Sequence, residues 1–218
     1  MAELGNRLKT MADYIKAGET MADIGTDHGF LPLYLWEKKI CPKVIMTDIS
    51  AGSLNKARAA FPGQPPGADF RLGDGLTLLA PGEVDAVVIA GMGGVLITEI
   101  LSQDMEKTIS FSKFIMQPRN GSGKLRYFLD KAGFAIISEN LAEEGKFICE
   151  IIVAKPPKKV GKVPSLAGYK KEAKYEMPYL PVKNEELFIK YVNNKLNIEK
   201  EIFEAMKKGG YVKNVEDE

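Results

Sequence analysis

Histidine and cysteine are scarce in this 218-residue sequence, which has one histidine, His28, and two cysteines, Cys41 and Cys149. Without metal-ligand spacing among them they cannot furnish a usual zinc site, so no metal is expected. Two lone cysteines fit a reducing compartment better than a disulfide framework. Long apolar runs are missing too. Nothing approaches the roughly eighteen consecutive apolar residues of a membrane span. The opening Met1-Ala2-Glu3-Leu4-Gly5 lacks the basic-then-apolar pattern of a secretion signal. The expectation is a cytoplasmic protein, off the membrane, with no obligate protein partner. A large charge of one sign is also absent, since the net charge is +1. The balance is uneven, however. Residues 1–154 carry 16 Lys and Arg against 19 Asp and Glu, whereas residues 155–218 carry 14 against 10. A basic tail suits a polyanion, although solvated helix faces give the same composition.

The dinucleotide fingerprint G-x-G-x-x-G is lacking as well, which disfavours an NAD-dependent dehydrogenase. In its place stands Ala22-Asp23-Ile24-Gly25-Thr26-Asp27-His28-Gly29. It closes an apolar run at 20–24 and precedes a helical pattern from Leu31. A strand that stops at a glycine turn and reopens as a helix lets backbone approach a ligand closely and offers free N–H groups. About twenty residues on, Val44-Ile45-Met46-Thr47 ends in Asp48, placed to accept the hydroxyls of a ribose. The corner reads D-x-G-x-x-x-G. Fewer glycines are needed when there is no pyrophosphate to cradle, which points to S-adenosylmethionine (SAM).

Apolar periodicity predicts an amphipathic helix over 3–16 and then five strand–helix units, with strands at 20–25, 43–48, 68–72, 84–90 and 114–117. Ser50 is placed to cap the helix at 51–60. Residues 134–139 and 147–154 are two further strands with no helix between them, hence a hairpin. The predicted fold is α/β, a Rossmann-like, mostly parallel sheet with one antiparallel strand. Such sheets bind ligands beyond the carboxyl ends of their strands, where every glycine-rich corner of this chain falls. Residues 155–164 are rich in proline and lysine and read as a linker. Beyond it, segments 166–175 and 184–208 suggest a small helical hairpin whose apolar stripe is expected to pack or dock as core, a partner helix being the alternative. The expected domains are 1–154, binding the ligand, and 155–218, a linker and helical hairpin.

With these residues in place, the chain resembles the class I SAM-dependent methyltransferases. More narrowly, it resembles the bacterial tRNA (adenine(22)-N(1))-methyltransferase family. The likeness rests on Ala22–Pro32, Asp48, Leu72-Gly73-Asp74-Gly75-Leu76, Ile89-Ala90-Gly91-Met92-Gly93-Gly94, Gln117-Pro118-Arg119, Leu125-Arg126 and Gly133-Phe134. Asp27-His28 inside the first corner, joined to Ala90–Gly94 after strand four, is its most specific part. Arg119 departs from the pattern, because an asparagine often follows that proline. The resemblance implies SAM as cofactor and tRNA as partner. Asp23 and Gly25 would line the methionine end, Asp48 and Ile49 the ribose, Gly73, Asp74 and Gly75 the adenine, and Ala90, Gly91, Met92 and Gly93 the pocket floor. A glycine turn that only shapes the pocket accounts for the last group equally well. Asp27 and His28 are the catalytic candidates. Adenine attacking through N1 becomes positively charged, and a nearby carboxylate stabilises that charge, whereas a plain helix cap explains the same pair structurally. Arg7, Lys9, Arg119, Lys124 and Arg126 are candidate phosphate contacts for RNA.

After strand four, methyltransferases that act on exocyclic amines usually carry Asn or Asp, two prolines and an aromatic residue. The chain has Gly91-Met92-Gly93-Gly94 there. A ring nitrogen has an in-plane lone pair and needs no such help, so N1 is favoured over N6. Two readings compete with it: a SAM-dependent enzyme acting on a small-molecule or protein amine, and a non-catalytic SAM- or RNA-binding protein.

Overall fold

The computed structural model describes residues 4–178 and 180–209. The expected helix start at residue 3 and residues 210–218 of the expected extension lie outside that range. Among the described residues no helix is long and apolar enough to cross a membrane.

The first compact unit runs to Pro181. Its centre is a seven-stranded sheet: β1 (Met21–Ile24), β2 (Val44–Asp48), β3 (Ala68–Leu72), β4 (Ala86–Gly93), β5 (Lys113–Asn120), β6 (Ala135–Glu144) and β7 (Phe147–Lys155), in the spatial order β3-β2-β1-β4-β5-β7-β6. As expected, one strand, β7, runs antiparallel, inserted between β5 and β6. β1 and the first half of β4 are buried on both faces, which is why they read as continuous apolar runs. Helices α1 (Asn6–Ala12), α2 (Phe30–Glu37), α3 (Ala51–Ala60), α4 (Gly94–Ser102), α5 (Met105–Thr108) and α6 (Ser122–Lys131) complete the layers. Ser50 caps α3 as expected, its Oγ accepting from the Ser53 N–H at 3.3 Å. The chain order reverses between β1 and β4, and that crevice positions the site.

Among the strands that run past their expected ends, β6 reaches Glu144, and two others bear on the site. β4 continues through Gly91-Met92-Gly93 and β5 through Pro118-Arg119-Asn120, paired as Ala90↔Gln117, Met92↔Pro118 and Gly93↔Asn120 with two register shifts. The glycine segment after strand four is therefore an irregular ladder, not a turn. Gly94 explains the close approach of α4 to α6, since a Cβ there would collide with the Gly121 carbonyl.

Arg126 corrects an expectation. Proposed from sequence as an RNA contact, it is fully buried on α6. Its Nε donates to Glu139 Oε1 at 2.7 Å, one terminal nitrogen to Glu150 Oε2 at 2.6 Å, and the other to the Tyr175 carbonyl at 3.1 Å. Ser122 Oγ donates to Glu150 at 2.7 Å and the Leu180 N–H to Glu139 at 3.2 Å. A guanidinium can be buried because two carboxylates and a carbonyl take its donors.

That cluster also moves the expected boundary at residue 154. Residues 166–178 form a strap over α6. In place of the long helix expected at 166–175 it has a 3-10 turn (Leu166–Gly168) and a single helical turn, α7 (Ala173–Glu176). Tyr175 is buried, and its hydroxyl donates to Asp130 at 2.8 Å. The second unit, Val182–Glu218, holds α8 (Glu185–Lys208), whose cap Asn184 accepts from the Leu187 N–H at 2.9 Å. Leu196, Ile202, Phe203 and Met206 of its apolar stripe are exposed, where packed core was expected.

Removing Arg126 leaves two buried carboxylates without their counter-ion. Arg126→Met is therefore expected to destabilise the protein by about 3–5 kcal/mol in urea unfolding. A chain ending at Pro181 keeps Tyr175 and Leu180 and should melt cooperatively, while one ending at residue 154 should melt well below it. Equal melting temperatures for the two would show that the strap does not hold the cluster.

Candidate active site

Three cavities line up along the carboxyl ends of the strands. The first, about 330 Å³, lies between α1 and the β1–α2 corner and is lined by Arg7, Asp23, Gly25, Asp27, His28 and Phe30 among others. A second, about 290 Å³, lies over the ends of β1 to β4, with Asp48, Ile49, Gly73, Asp74, Gly75 and Met92 on its wall. Gly25, Ala90 and Gly91 belong to both, so the two form one cleft. The third, about 520 Å³, lies over the ends of β4, β5 and the β6–β7 hairpin, and meets the first at Arg7 and Gly91.

The structure thus brings together every residue expected to hold the cofactor, with Gly93 next to the cleft on β4. Asp23, at the end of β1, is nearly buried and takes a hydrogen bond from Thr26 Oγ1 at 2.7 Å. Burial pushes its carboxyl up to about 6; Thr26 and the Arg7 charge pull the other way, and Asp48 adds to the rise. Gly25 has φ +75°, and a Cβ there would collide with Met92 Cε. The glycine leaves space for the Met92 methyl where the two halves of the cleft join. Asp48 is aimed by backbone: its carboxylate accepts from the Ser50 N–H at 2.7 Å and the Asp27 N–H at 3.4 Å. Gly73 has φ +154°, and Asp74 opens the 3-10 turn Gly75–Leu78. Ile49 is 75% exposed, at the rim.

An S-adenosyl group fits this donor set. A buried carboxylate faces the end where an ammonium is expected, and an oriented carboxylate faces the position of a diol.

Asp27 and His28 lie on the outer wall of the first cavity and are absent from the wall of the third. Asp27 takes φ +45°. Its Oδ1 accepts from Lys56 Nζ at 3.0 Å, and that bond holds its carboxyl below the usual range. His28 Nε2 is 3.5 Å from Asp27 Oδ2, and its ring stacks on Phe30 at 5.1 Å. Lys56 was not legible as a partner, because nothing in the spacing joins α3 to this corner.

Among the RNA candidates, Lys9, Arg119 and Lys124 are exposed. Arg7 is committed: its Nε donates to Glu144 at 2.8 Å and a terminal nitrogen to Gln117 Oε1 at 3.3 Å. Gln117, missed as a site residue, is the hub of the junction. It is buried midway along β5, where Oε1 also accepts from the Gly91 N–H at 3.2 Å and Nε2 donates to the Pro118 carbonyl at 2.9 Å. A glutamine closing the apolar run 114–116 was the available signal.

The match to known proteins follows the same outline. The methyltransferase domain family matches residues 4–152. The tRNA (adenine(22)-N(1))-methyltransferase of Bacillus subtilis (strain 168) is 37% identical over 154 residues, 70% of this chain and 65% of that protein. The match thus spans slightly less than two thirds of that relative's length. A putative tRNA methyltransferase of Mycoplasma pneumoniae is 34% identical over 147 residues, 65% of this chain and 67% of that one. Among solved structures, the B. subtilis m1A22 tRNA methyltransferase TrmK superposes with a TM-score of 0.78 at 30% identity, covering 99% of this chain and 91% of that one. A putative tRNA (m1A22) methyltransferase of Streptococcus pneumoniae, in complex with S-adenosyl-L-methionine, gives 0.77 at 26% identity, covering 93% and 91%.

Asp23 sets a pH dependence. Its raised value means that the folded protein binds a proton there more tightly than the unfolded chain, so folding stability falls as pH rises from about 4 towards 6. A cationic amine bound at Asp23 needs the carboxylate. SAM affinity is therefore expected to rise between pH 5 and 7, and binding below pH 6 to release a proton. Calorimetry in buffers of different ionisation enthalpy reads both, and Asp23→Asn should bind weakly without that dependence. A flat profile for the unsubstituted protein would remove Asp23 from the amine.

Proposed function

The chain belongs to the methyltransferase domain family, and on that premise we propose that it methylates N1 of an adenine in tRNA, position 22 being the site favoured by its relatives. The observation that carries this reading is the continuous cleft in which buried Asp23 and oriented Asp48 flank Gly25 and Gly91, opening at Arg7 and Gly91 into a larger cavity over β4, β5 and β7. SAM supplies a methyl group on a positively charged sulfur.

The chain's own residues bind and orient. Asp23 takes the amine of the donor, Asp48 the ribose hydroxyls and Asp74 the adenine amine. Gly91, shared by the donor cleft and the acceptor cavity, leaves room between them. Adenine N1 carries no proton in the neutral base, so no general base is required, and positioning with electrostatics supplies the acceleration. β4 ends in Gly91-Met92-Gly93, which has no side-chain acceptor for an exocyclic amine, and this supports N1 over N6. We assign Asp27 to the donor side. Its N–H braces Asp48, and Lys56 holds its carboxylate ionised, so its negative charge favours the cationic donor.

The test is mass spectrometry of tRNA nucleosides after incubation with SAM, with the modified position mapped. N1-methyladenosine at one position is the expected outcome; methylation of small-molecule or protein amines alone would overturn it. Asp48→Ala should weaken SAM binding by about 1.5–3 kcal/mol while leaving tRNA binding intact.

The basic excess of the last third supports an RNA contact, but its location is not α8. Residues 155–181 carry seven lysines against two glutamates, and residues 182–218 seven lysines against eight acidic residues. Lys158, Lys159 and Lys162 are exposed. Replacing these three with alanine is expected to weaken tRNA binding and to flatten its dependence on log salt by about 0.7–0.9 per lost phosphate contact. Deleting residues 182–218 should leave that slope nearly unchanged. The opposite pattern, measured by filter binding, would return the electrostatic contact to α8.

A further inference from the structure

We infer that the cavity over β4, β5 and β7 is the pocket for the acceptor base, in which the Asn120 amide reads the N6 and N7 edge of adenine and the Phe147 ring stacks on its face. This rests on the proposed N1 methylation and adds the residues that choose adenine.

Position is the first argument. The cavity, about 520 Å³, touches the donor cleft at Arg7 and Gly91, so a base seated there presents one edge to the donor across a glycine. Its volume falls within the range of small-ligand sites. Commitment of side chains is the second. The Gln117 amide is held by Arg7, Gly91 and Pro118, which makes it a wall. Arg7 is held by Glu144 and Gln117, and Glu150 by Arg126 and Ser122. Asn120 differs. It lines the same cavity, pairs in register with Gly93, and its amide makes no hydrogen bond among the described residues. Its Oδ1 lies 3.1 Å from where a Gly93 Cβ would stand, so glycine at that position leaves the amide room.

Chemistry is the third argument. An amide is the bidentate partner of adenine: Oδ1 accepts from the N6 amine while Nδ2 donates to N7. That pairing uses the edge away from N1 and leaves the N1 lone pair free. Guanine offers acceptors at both O6 and N7, which one amide cannot satisfy together. Phe147, 65% exposed at the start of β7, lines the same cavity. Lys146 Nζ lies 5.5 Å from the centre of its ring. An exposed aromatic face beside an amide is the composition with which proteins hold unpaired bases.

The test uses the full-length protein, SAM, and a tRNA transcript whose methylated adenosine is replaced by 7-deazaadenosine. That base keeps N1 and N6 but lacks N7. With the unsubstituted protein, kcat/KM is expected to fall about tenfold or more on the 7-deaza transcript. Asn120→Ala should lose a similar factor on natural tRNA and nothing further on the 7-deaza transcript, with SAM affinity and melting temperature unchanged. Phe147→Leu should raise KM for tRNA several-fold with little change in kcat, and Phe147→Trp should restore it. The proposal is overturned if the unsubstituted protein is indifferent to 7-deazaadenosine, if the loss is the same in Asn120→Ala, or if Phe147→Leu keeps its KM. Absence of N1 methylation on natural tRNA by the unsubstituted protein would instead overturn the underlying reaction, a separate result.

Discussion

The buried guanidinium of Arg126 is the interaction on which the acceptor side of this protein depends. It ties α6 to β6 through Glu139 and to β7 through Glu150, and the strap closes over it with the Tyr175 carbonyl. Those bonds fix the β6–β7 hairpin beside β5. The hairpin end carries Glu144, which holds Arg7, and Arg7 reaches Gln117 and the neighbourhood of Asp23. Two sets of charge-assisted hydrogen bonds, joined by the backbone of the hairpin, therefore link the core to the junction of the donor cleft and the acceptor cavity. Such a cluster adds little net stability over apolar packing of equal volume, and its value lies in uniqueness of arrangement, since each partner left alone is costly.

What the sequence made legible follows from locality. The corner at Asp23–Gly29, Asp48 at the end of β2 and the Ser50 cap are each set by residues within a few positions of one another, so pattern alone found them. The strand ends were misjudged for a local reason as well. Gly91-Met92-Gly93 and Pro118-Arg119-Asn120 have turn composition, and only pairing with each other makes them strand. Arg126 was misread because its two partners lie 13 and 24 residues away. An arginine on an amphipathic helix looks solvated until the topology brings acids to it. The tail illustrates the same limit. Composition marked 155–164 as a linker, yet Tyr175 and Leu180 belong to the first unit because of hydrogen bonds to α6 and β6 that no periodicity encodes. The basic excess of residues 155–218 is thereby carried by the part of them, up to Pro181, that belongs to the unit holding the cleft.

The cleft divides its chemistry by strand, and the division explains why no proton-transfer device is built at its centre. Beyond the ends of β1, β2 and β3 the cleft is lined by three carboxylates, Asp23, Asp48 and Asp74, one from each strand end. They suit a ligand that offers an ammonium, hydroxyls and an amine, all donors. Over β4 and β5 stand amides and an arginine, Gln117, Asn120 and Arg119, which suit a neutral base with both donors and acceptors and a phosphate chain behind it. On the proposed reading the acceptor atom has a lone pair and no proton, so a poised base at the junction would do nothing for the reaction. The junction is accordingly made of Gly91 backbone beside Arg7, whose guanidinium is already held by Glu144 and Gln117. The carboxylates nearby are held for other work, with Asp27 kept ionised by Lys56 and Asp23 raised by burial to about 6. Catalysis in such a site rests on distance. The Gln117 bonds to Arg7 and to the Gly91 N–H then matter more than any titratable group, because they set how closely the two cavities approach.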